Sequence, residues 1–395
     1  MRERFGGLMT AGFLVVLAAC ASRGKKPEAE LKLPAQRFEL TGDTVHLYAL
    51  VGEVRLERGD GNATVVEVTR VGTDAAQITV DTGRVGTQST LQVRFPGVKV
   101  TTGLQPSGST RISVADDGRF GSGVSGRTVE ISRGGGGVRA QPNIVAKVPA
   151  GRTVLIDVGV GKVNLAGANA NVRVAASNAE VQTDTVRGNV TLDVRSGTVR
   201  VSAVDGSLVI NTSSAPTTVS QATGALVQIR SDTASVNGSG IQSAQLDVRT
   251  RSGAVLLTGI VSPVTRVNTD SGRVGVSMAG SADTVSILTR TGDAALSLVG
   301  GLRSLASLRS HSGDLTIRVT PSVSATILFE GELRSPTLEM TLADLQRAND
   351  TACTTSANDA ATAPARCNLL RGRLGNGDGR IVAHSTQGDV RLAGF

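Results

Sequence analysis

Four segments in the second half of the chain share one pattern: RSGAVLL (residues 251–257), DSGRVGV (270–276), RTGDAAL (290–296) and HSGDLTI (311–317). Each has a glycine two residues before the first of two apolar residues, which alternate with other side chains. Alternation with a period of two predicts β-strands that bury one face. The glycine marks a turn between strands, here called the corner. These segments therefore predict short strands separated by regularly repeated corners.

The corner pattern extends upstream and defines a repeat. Corners align at Gly161, Asn178, Gly197, Ser214, Asp232, Gly253, Gly272, Gly292 and Gly313. The steps between them average about 19 residues, and a period of about 20 residues is typical of solenoids. We expect positive φ at the corners, which glycine adopts freely and Asn or Asp at modest cost. The sequence predicts an all-β fold, a parallel β-solenoid (β-helix) of coils of about 19 residues, with an irregular N-terminal β region.

The composition agrees with a thin, repetitive molecule. The 395 residues include 48 Gly but only 7 Phe, 1 Tyr and no Trp. A narrow interior of Val, Leu and Ile leaves little room for rings. Hydrophobic residues make up 39% of the chain, which disfavours wholesale disorder. The absence of Trp also argues against a site that stacks sugars on a flat ring.

The charge of the chain limits its partners. Lys and Arg number 41 and Asp and Glu 33, for a net charge of +8. This excess is modest, and the sequence contains no run of Lys and Arg typical of a nucleic-acid site. The sequence therefore predicts no nucleic-acid partner, whereas weak attraction to an acidic glycan or another envelope surface is compatible with it.

The N-terminus predicts export. Arg2 and Arg4 precede an apolar run over residues 8–19, too short for a stable membrane span and followed by Cys20. The ending Leu17-Ala18-Ala19-Cys20 resembles a bacterial lipoprotein signal, which implies cleavage between Ala19 and Cys20 and lipidation of Cys20. An ordinary secretory peptide or an N-terminal membrane anchor is the alternative. The resemblance implies a lipid-anchored protein of the cell envelope, outside the cytoplasm, and on the outer membrane if the cell has one.

The rest of the chain divides by regularity. After a signal peptide over residues 1–19, we expect a lipidated tether over 20–37, an N-terminal β region or cap over 38–148, the regular solenoid over 149–320 and a C-terminal β region over 321–395. A flexible glycine-rich loop is predicted over 102–137. In the C-terminal region we expect a short helix over 342–348, a hairpin turn at Gly375–Gly379 and a last corner at Gly388.

Two cysteines lie in an insertion of the C-terminal region. If Cys20 is lipidated, Cys353 and Cys367 are the two that are left to pair. An oxidising envelope predicts a disulfide between them, worth roughly 3 kcal/mol by loop closure. Two free thiols are the alternative, against which the export signal argues.

The corner motifs together resemble a known family. The Ser-Gly-x-Val-x-Val segments, the early Val51-Gly52-Glu53-Val54 and the closing Gly388-Asp389-Val390-Arg391-Leu392 are similar to the bacterial "putative adhesin" family of β-strand-repeat envelope proteins. The resemblance covers roughly residues 40–395. It implies a β-solenoid outside the cytoplasm, and it supplies no catalytic residue. The Cys-containing insertion departs from the family's simple repeat.

Catalytic and metal-binding patterns are weak. The three histidines, His46, His311 and His384, stand at no metal-ligand spacing, so we predict no metal and no cofactor. β-Helix polysaccharide lyases and glycosidases share the predicted architecture and are the enzyme alternative, but they need clustered carboxylates. Asp193, Asp247 and Asp314 fall on neighbouring coils without forming a repeated acidic column, which predicts scattered, solvated carboxylates and no enzyme.

One predicted column is basic. Two residues before the aligned corners stand Arg195, Arg230, Arg251 and Arg290, with Asp270 between the last two. Stacked like charges are unfavourable unless they are solvated or matched by an anion. A solvated edge is the simpler interpretation. The alternative is a contact line for acidic polysaccharide or lipid headgroups.

These patterns lead to one functional hypothesis with two alternatives. We expect a lipid-anchored, non-catalytic solenoid that acts as an adhesin-like or envelope-organising protein. A polysaccharide lyase or glycosidase acting on acidic glycans is the first alternative. An accessory module of the envelope-stress response is the second.

Overall fold

A computed structural model describes residues 31–121, 123–333, 343–352 and 366–394 of the protein. Nearly all of its regular structure is β, apart from one 3₁₀ turn at Ala75–Gln77. In the described part of the chain, no helix is long and apolar enough to cross a membrane. The predicted signal peptide and Cys20 lie outside the described residues, so cleavage and lipidation stay predictions.

Nine strands precede the regular repeat. They are β1 (Gln36–Leu40), β2 (Thr44–Arg58), β3 (Thr64–Val71), β4 (Thr79–Val85), β5 (Gln88–Arg94), β6 (Lys99–Thr101), β7 (Ser109–Val114), β8 (Arg127–Ser132) and β9 (Gln141–Val148).

The repeat itself is built from fourteen strands. They are β10 (Thr153–Ala166), β11 (Asn171–Arg187), β12 (Val190–Asp205), β13 (Leu208–Thr212), β14 (Thr217–Ser231), β15 (Val236–Ser239), β16 (Gln242–Thr250), β17 (Val255–Ile260), β18 (Val264–Thr269), β19 (Val274–Met278), β20 (Ala282–Thr289), β21 (Ala294–Leu298), β22 (Leu302–Ser310) and β23 (Leu315–Val319).

Four further strands are described towards the C-terminus. They are β24 (Ala325–Leu333), β25 (Ala343–Ala352), β26 (Arg366–Leu374) and β27 (Gly379–Gly394).

Successive coils pair in parallel and stack into a solenoid, as the sequence predicts. Val154 faces Val172, Val172 faces Val190, and Val190 faces Leu208 on the next coil. Two residues along, Ile156, Val174, Leu192 and Ile210 form a second inward column in the same way. All of these side chains are at most 3% exposed. Burial of these aliphatic columns is the main driving force for stacking.

The end coils come from strands that are far from their neighbours in sequence. Strand β2 pairs in parallel with β10 along its length, from Thr44 beside Thr153 to Glu57 beside Ala166. At the other end, β27 pairs in parallel with β22 and β23. The first and last coils are therefore separated from the continuous repeat by insertions. On the outer side of β2 lie β5 and β9, and on the outer side of β27 lies β24.

The prediction of a flexible loop over residues 102–137 is wrong for most of this segment. Strands β6, β7 and β8 form a separate sheet, with β8 in the centre. Ile112, Val114, Val129 and Ile131 alternate along these strands and are buried. Alternating apolar residues gave this segment a buried face that its many glycines obscured.

Two expectations near the C-terminus are also wrong. Residues 343–352 form β25 instead of a helix, because their backbone pairs antiparallel with β26. The turn at residues 375–378 does join β26 to β27, but these strands do not form a hairpin. Strand β24 lies between them, antiparallel to β26 and parallel to β27.

The corners follow a register different from the sequence alignment. Gly161 faces Ala179, and Ala179 faces Gly197, so Ala179 replaces Asn178 in the column. The pairing of Val199 with Thr217 brings Ala215 beside Gly197 in place of Ser214. A Cβ built on Gly253 would lie 1.9 Å from the carbonyl oxygen of Ala234, which replaces Asp232.

The corner glycines also have a different physical cause from the one expected. Of the corner glycines Gly161, Gly197, Gly253, Gly272, Gly292, Gly313 and Gly388, only Gly197 has a positive φ. At each, an added Cβ would lie only 1.9 to 2.3 Å from the carbonyl oxygen of the preceding coil. Close approach of stacked backbones therefore selects glycine, with alanine at three corners.

The repeat also lengthens along the chain. The paired residues Val285 and Ala306, late in the solenoid, are further apart in sequence than the paired residues Val154 and Val172 near its start. The later coils therefore contain more residues than the early ones.

Candidate functional site

A polar row crosses the middle of the solenoid, formed by outward residues of β12, β13, β14, β16 and β18. In it Asp193 faces Asn211, Asn211 faces Arg230, Arg230 faces Arg249, and Arg249 faces Asn268. Neighbouring strands of a sheet are about 4.8 Å apart. Arg230 and Arg249 are therefore cations on adjacent coils, and their side chains point outward from the same face.

A second row runs along the corners, and its charges alternate. Backbone N–H groups of Arg251, Asp270 and Arg290 donate to the carbonyl oxygens of Asp232, Arg251 and Asp270, each at 3.0 Å. The row then continues to His311, whose N–H donates to the carbonyl oxygen of Arg290 at 3.1 Å. Asp, Arg, Asp and Arg thus succeed one another.

The predicted basic stripe is wrong at one of its four arginines: Arg195, Arg251 and Arg290 lie in the corner row, whereas Arg230 does not. Arg230 belongs to the outward row beside Arg249, and Asp232 takes its place at the corner. Arg195 keeps its predicted place two residues before the corner Gly197, and its carbonyl oxygen accepts from the N–H of Ser214 at 2.9 Å, as that of Asp232 accepts from the N–H of Ser252 at 3.1 Å. The cause is the corner register: moving that corner from Asp232 to Ala234 moves the position two residues before it from Arg230 to Asp232.

The arginines of this region differ in their partners. Arg249 donates two hydrogen bonds to Asp247 on its own strand, at 3.2 and 3.1 Å. The Asp247 side chain is only 8% exposed, so this carboxylate is held mainly by Arg249. Arg251 lies 3.7 Å from Asp232. Within the described residues, the exposed Arg230 has no hydrogen-bond or ion-pair partner.

A surface recess of about 420 Å³ lies where the two rows meet. Its lining includes Asn211, Thr212, Arg230, Asp232, Arg249 and Arg251. The Thr212 hydroxyl is buried and has no hydrogen-bond partner. The lining therefore combines three arginines with two aspartates, Asp232 and Asp270, whereas the Thr212 side chain belongs to the inward column beside Val194.

Several other charged side chains of the coils pair with the next coil. Arg173 binds Asp193 at 3.1 Å, Arg200 binds Glu180 at 2.9 Å, and Arg273 binds Asp293 at 3.1 Å. These pairs are largely exposed and contribute little each to stability. They also balance the charge of the two partners.

An acidic column that the sequence analysis did not find follows the last corners. The Asp293 carboxylate accepts the N–H of Asp314 at 3.2 Å, and the Asp314 carboxylate accepts the N–H of Asp389 at 3.0 Å. The Gly-Asp pairs at residues 292–293, 313–314 and 388–389 were the available signal. Asp193, Asp247 and Asp314, by contrast, lie in three different rows, where the first two pair with arginines and the third joins this ladder. These carboxylates satisfy neighbouring groups of the fold itself.

His46 belongs to a covered polar network. Its Nε2 lies 2.9 Å from an Asp157 carboxylate oxygen, and its Nδ1 lies 2.9 Å from the Tyr48 hydroxyl. Tyr48 also contacts Phe120, in the connection between β7 and β8 of the three-stranded sheet, with ring centroids 6.0 Å apart. Burial, followed by the charge of Asp157, raises the pKa of Tyr48 to about 12. A tyrosine with so high a pKa stays neutral and donates a hydrogen bond, which suits a structural role.

Asp117 lies close to this network and is held in its charged form. Burial opposes ionisation of its carboxyl, but hydrogen bonds from the Arg119 backbone and guanidinium, together with the charges of Arg119 and Arg94, lower the pKa. The Arg119 Nε lies 2.6 Å from Asp117 Oδ2.

The remaining histidines form no metal centre in the part of the chain that the structure describes. His384 Nδ1 lies 3.0 Å from Glu330, and His311 lies at a corner. No group of three or more His, Cys, Asp or Glu in the described ranges could hold a metal ion. Cys353 lies outside the described residues, so its disulfide with Cys367 stays a prediction.

Comparisons with solved structures find distant likenesses. A protein whose structure is titled "putative cell adhesion protein" from Clostridium sporogenes ATCC 15579 is 9% identical, with coverage of 91% of this chain and 99% of that one and a TM-score of 0.16. A "putative adhesin" from Parabacteroides merdae ATCC 43184 is 8% identical, with coverage of 72% and 89% and a TM-score of 0.21. No curated protein matches the chain.

The family is established by sequence. The model of the family described as Toastrack DUF4097 matches residues 22–327, which is more than half of the chain. The chain therefore belongs to the Toastrack DUF4097 family.

Proposed function

We propose that this Toastrack chain is a lipid-anchored, non-catalytic, adhesin-like or envelope-organising protein that works outside the cytoplasm. The observation that carries the proposal is the stack of parallel coils, whose outward residues form long polar rows instead of a cleft. Such rows are suited to contacts with extended partners.

The use of the carboxylates supports a binding role over an enzymatic one. A glycan lyase or glycosidase needs acidic or basic groups free to act on a substrate. Asp247 is bound to Arg249, and Asp293 and Asp314 accept backbone N–H groups from the next coil. The Tyr48, His46 and Asp157 group lies beneath the three-stranded sheet, where a polymer has little access.

The N-terminal sequence supports the anchor. Cleavage before Cys20 would leave a lipidated cysteine and a polar tether ahead of β1, which begins at Gln36. One acyl chain alone gives marginal attachment, whereas the multiple chains of a lipoprotein hold a protein on the membrane stably.

The test follows the full-length protein in cells that produce it. We expect metabolic labelling with a fatty-acid probe, recovery in the membrane fraction and access to a protease added outside intact cells. Cys20→Ser should lose the label, whereas Cys353→Ser, the control, should keep it. Recovery of wild-type protein in the cytoplasm would contradict the proposal.

A second measurement addresses catalysis. Incubation of the purified protein with polygalacturonate should leave the mass distribution of the polymer unchanged and yield no unsaturated sugar product. A time-dependent fall in polymer mass would favour the lyase alternative instead.

A further inference from the structure

We propose that the recess around Arg230 binds a carboxylate of a linear acidic polysaccharide. This inference rests on the proposed function and deepens it, because it assigns a ligand class and a site to the solenoid surface.

The first argument is an unmatched cation. Arg230 and Arg249 are direct neighbours on adjacent coils, an arrangement that is unfavourable for two like charges. Asp247 holds Arg249 through two hydrogen bonds, but Arg230 has no such partner among the described residues. A bound anion would relieve this repulsion. A planar guanidinium is also well matched to a carboxylate, which it can bind through two parallel hydrogen bonds.

The second argument is the shape and chemistry of the site. The recess of about 420 Å³ lies within the range typical of small-ligand sites and can admit one sugar unit. Asn211 lines it, with its amide held by Asp193 at 2.7 Å. The Asn211 amide can serve a hydroxyl of the sugar ring that carries the carboxylate.

The third argument separates a glycan from a flat membrane. Asp232 and Asp270 flank Arg251 in the corner row, so an anionic membrane lying across the site would meet carboxylates as well as arginines. A chain with spaced carboxylates can place one charge beside Arg230 and keep the others away from the aspartates. The lining residues include no aromatic ring, so attraction to the carboxylate would have to dominate over stacking on the sugar.

The experiment measures binding of polygalacturonate to the purified wild-type protein and three variants at low salt. Arg230→Gln should weaken binding roughly threefold to tenfold, the loss expected for one charge-assisted contact at an exposed site. Asp232→Asn should strengthen binding, because it removes a carboxylate from the recess and leaves Arg251 unpaired. The matched control is Arg318→Gln, an exposed arginine of β23 that removes the same charge far from the recess. Thermal unfolding of each variant shows that it is folded.

Two results would overturn the site. One is an equal loss for Arg230→Gln and Arg318→Gln, which would mean that only net charge matters. The other is tighter, Arg230-dependent binding to vesicles of anionic phospholipid than to polygalacturonate, which would mean that the partner is a membrane. Neither result bears on Cys20 labelling or protease access in cells, so failure of this site is distinguishable from failure of the proposed function.

Discussion

The solenoid turns its corners in two ways. In β10, β11 and β12 the strand runs through the corner without a break, and the inward residue three positions before each corner is Val158, Ala176 or Val194. From Thr212 onward that position holds a hydroxyl residue, and each corner except the last, which lies inside β27, separates two strands; these residues are Thr212, Ser231, Thr250, Thr269, Thr289, Ser310 and Ser385.

The hydroxyls close the interrupted corners. The N–H groups of Gly272, Gly292 and Gly313 donate to the hydroxyl oxygen three residues earlier, at 3.0, 2.9 and 2.8 Å. In the continuous strands the corner residues lie within the parallel ladder, as Ala179 does between Gly161 and Gly197. The comparison teaches that Val or Ala at this position occurs in continuous corners and that a hydroxyl residue accompanies the interrupted ones, although Ser385 shows that a continuous strand also accepts it.

The largest effect is expected from crowding an interrupted corner. In Gly292→Ala the new Cβ would lie 2.1 Å from the carbonyl oxygen of Gly272, so two backbones must separate. We expect a loss of about 3 kcal/mol in the free energy of unfolding, measured by urea denaturation. Gly301→Ala is the matched control, since its Cβ would meet only the Ser281 hydroxyl at 3.6 Å. Equal stability of the two variants would contradict close approach as the reason for corner glycines.

A smaller effect is expected from removing the hydroxyl. Thr289→Val keeps the shape of the side chain but leaves the buried N–H of Gly292 without its acceptor. This should cost about 2 kcal/mol, the typical penalty for an unsatisfied buried polar group. Thr289→Ser retains the hydroxyl and should lose less. If Val and Ser proved equivalent, the hydroxyl would not be what distinguishes the interrupted corners.

The sequence predicts the architecture well because period-two alternation and the regular spacing of the corners are local signals. It fails where a contact between coils decides the outcome. Asn178, Ser214 and Asp232 resemble turn residues, but the corner column needs small side chains, so Ala179, Ala215 and Ala234 occupy it. That shift of one or two residues moves Arg230 to a different row. Predicting the recess requires the register between coils. The Thr/Ser-x-x-Gly corners, by contrast, are a local pattern that the sequence alone could predict.

The two regions also differ on their outer face. The row that holds Arg230 and Arg249 in the middle of the solenoid begins with Tyr48 and Asp157, which the three-stranded sheet approaches. Tyr48 is 7% exposed and contacts the buried Phe120 in the β7–β8 connection, and the buried Ile112 of β7 approaches Gly159 of the same coils. The same structural row is therefore covered at the first coils and open in the middle, where a ligand can reach it.

Titration of Tyr48 tests this difference with the smallest perturbation. Its pKa is about 12 in the folded protein and 10.0 when unperturbed, so its contribution to stability is complete below pH 10 and is lost as pH rises through 12. Because Tyr48 is the only tyrosine and the chain has no Trp, tyrosinate absorbance reports this residue alone. We expect a midpoint near pH 12 in the native protein and near pH 10 in urea.

The variant Tyr48→Phe removes the hydrogen bond to His46 and should lower the free energy of unfolding by about 1 kcal/mol at neutral pH. This deficit relative to the wild type should shrink above pH 10. A native midpoint near pH 10 would mean that the sheet does not cover the row at the first coils.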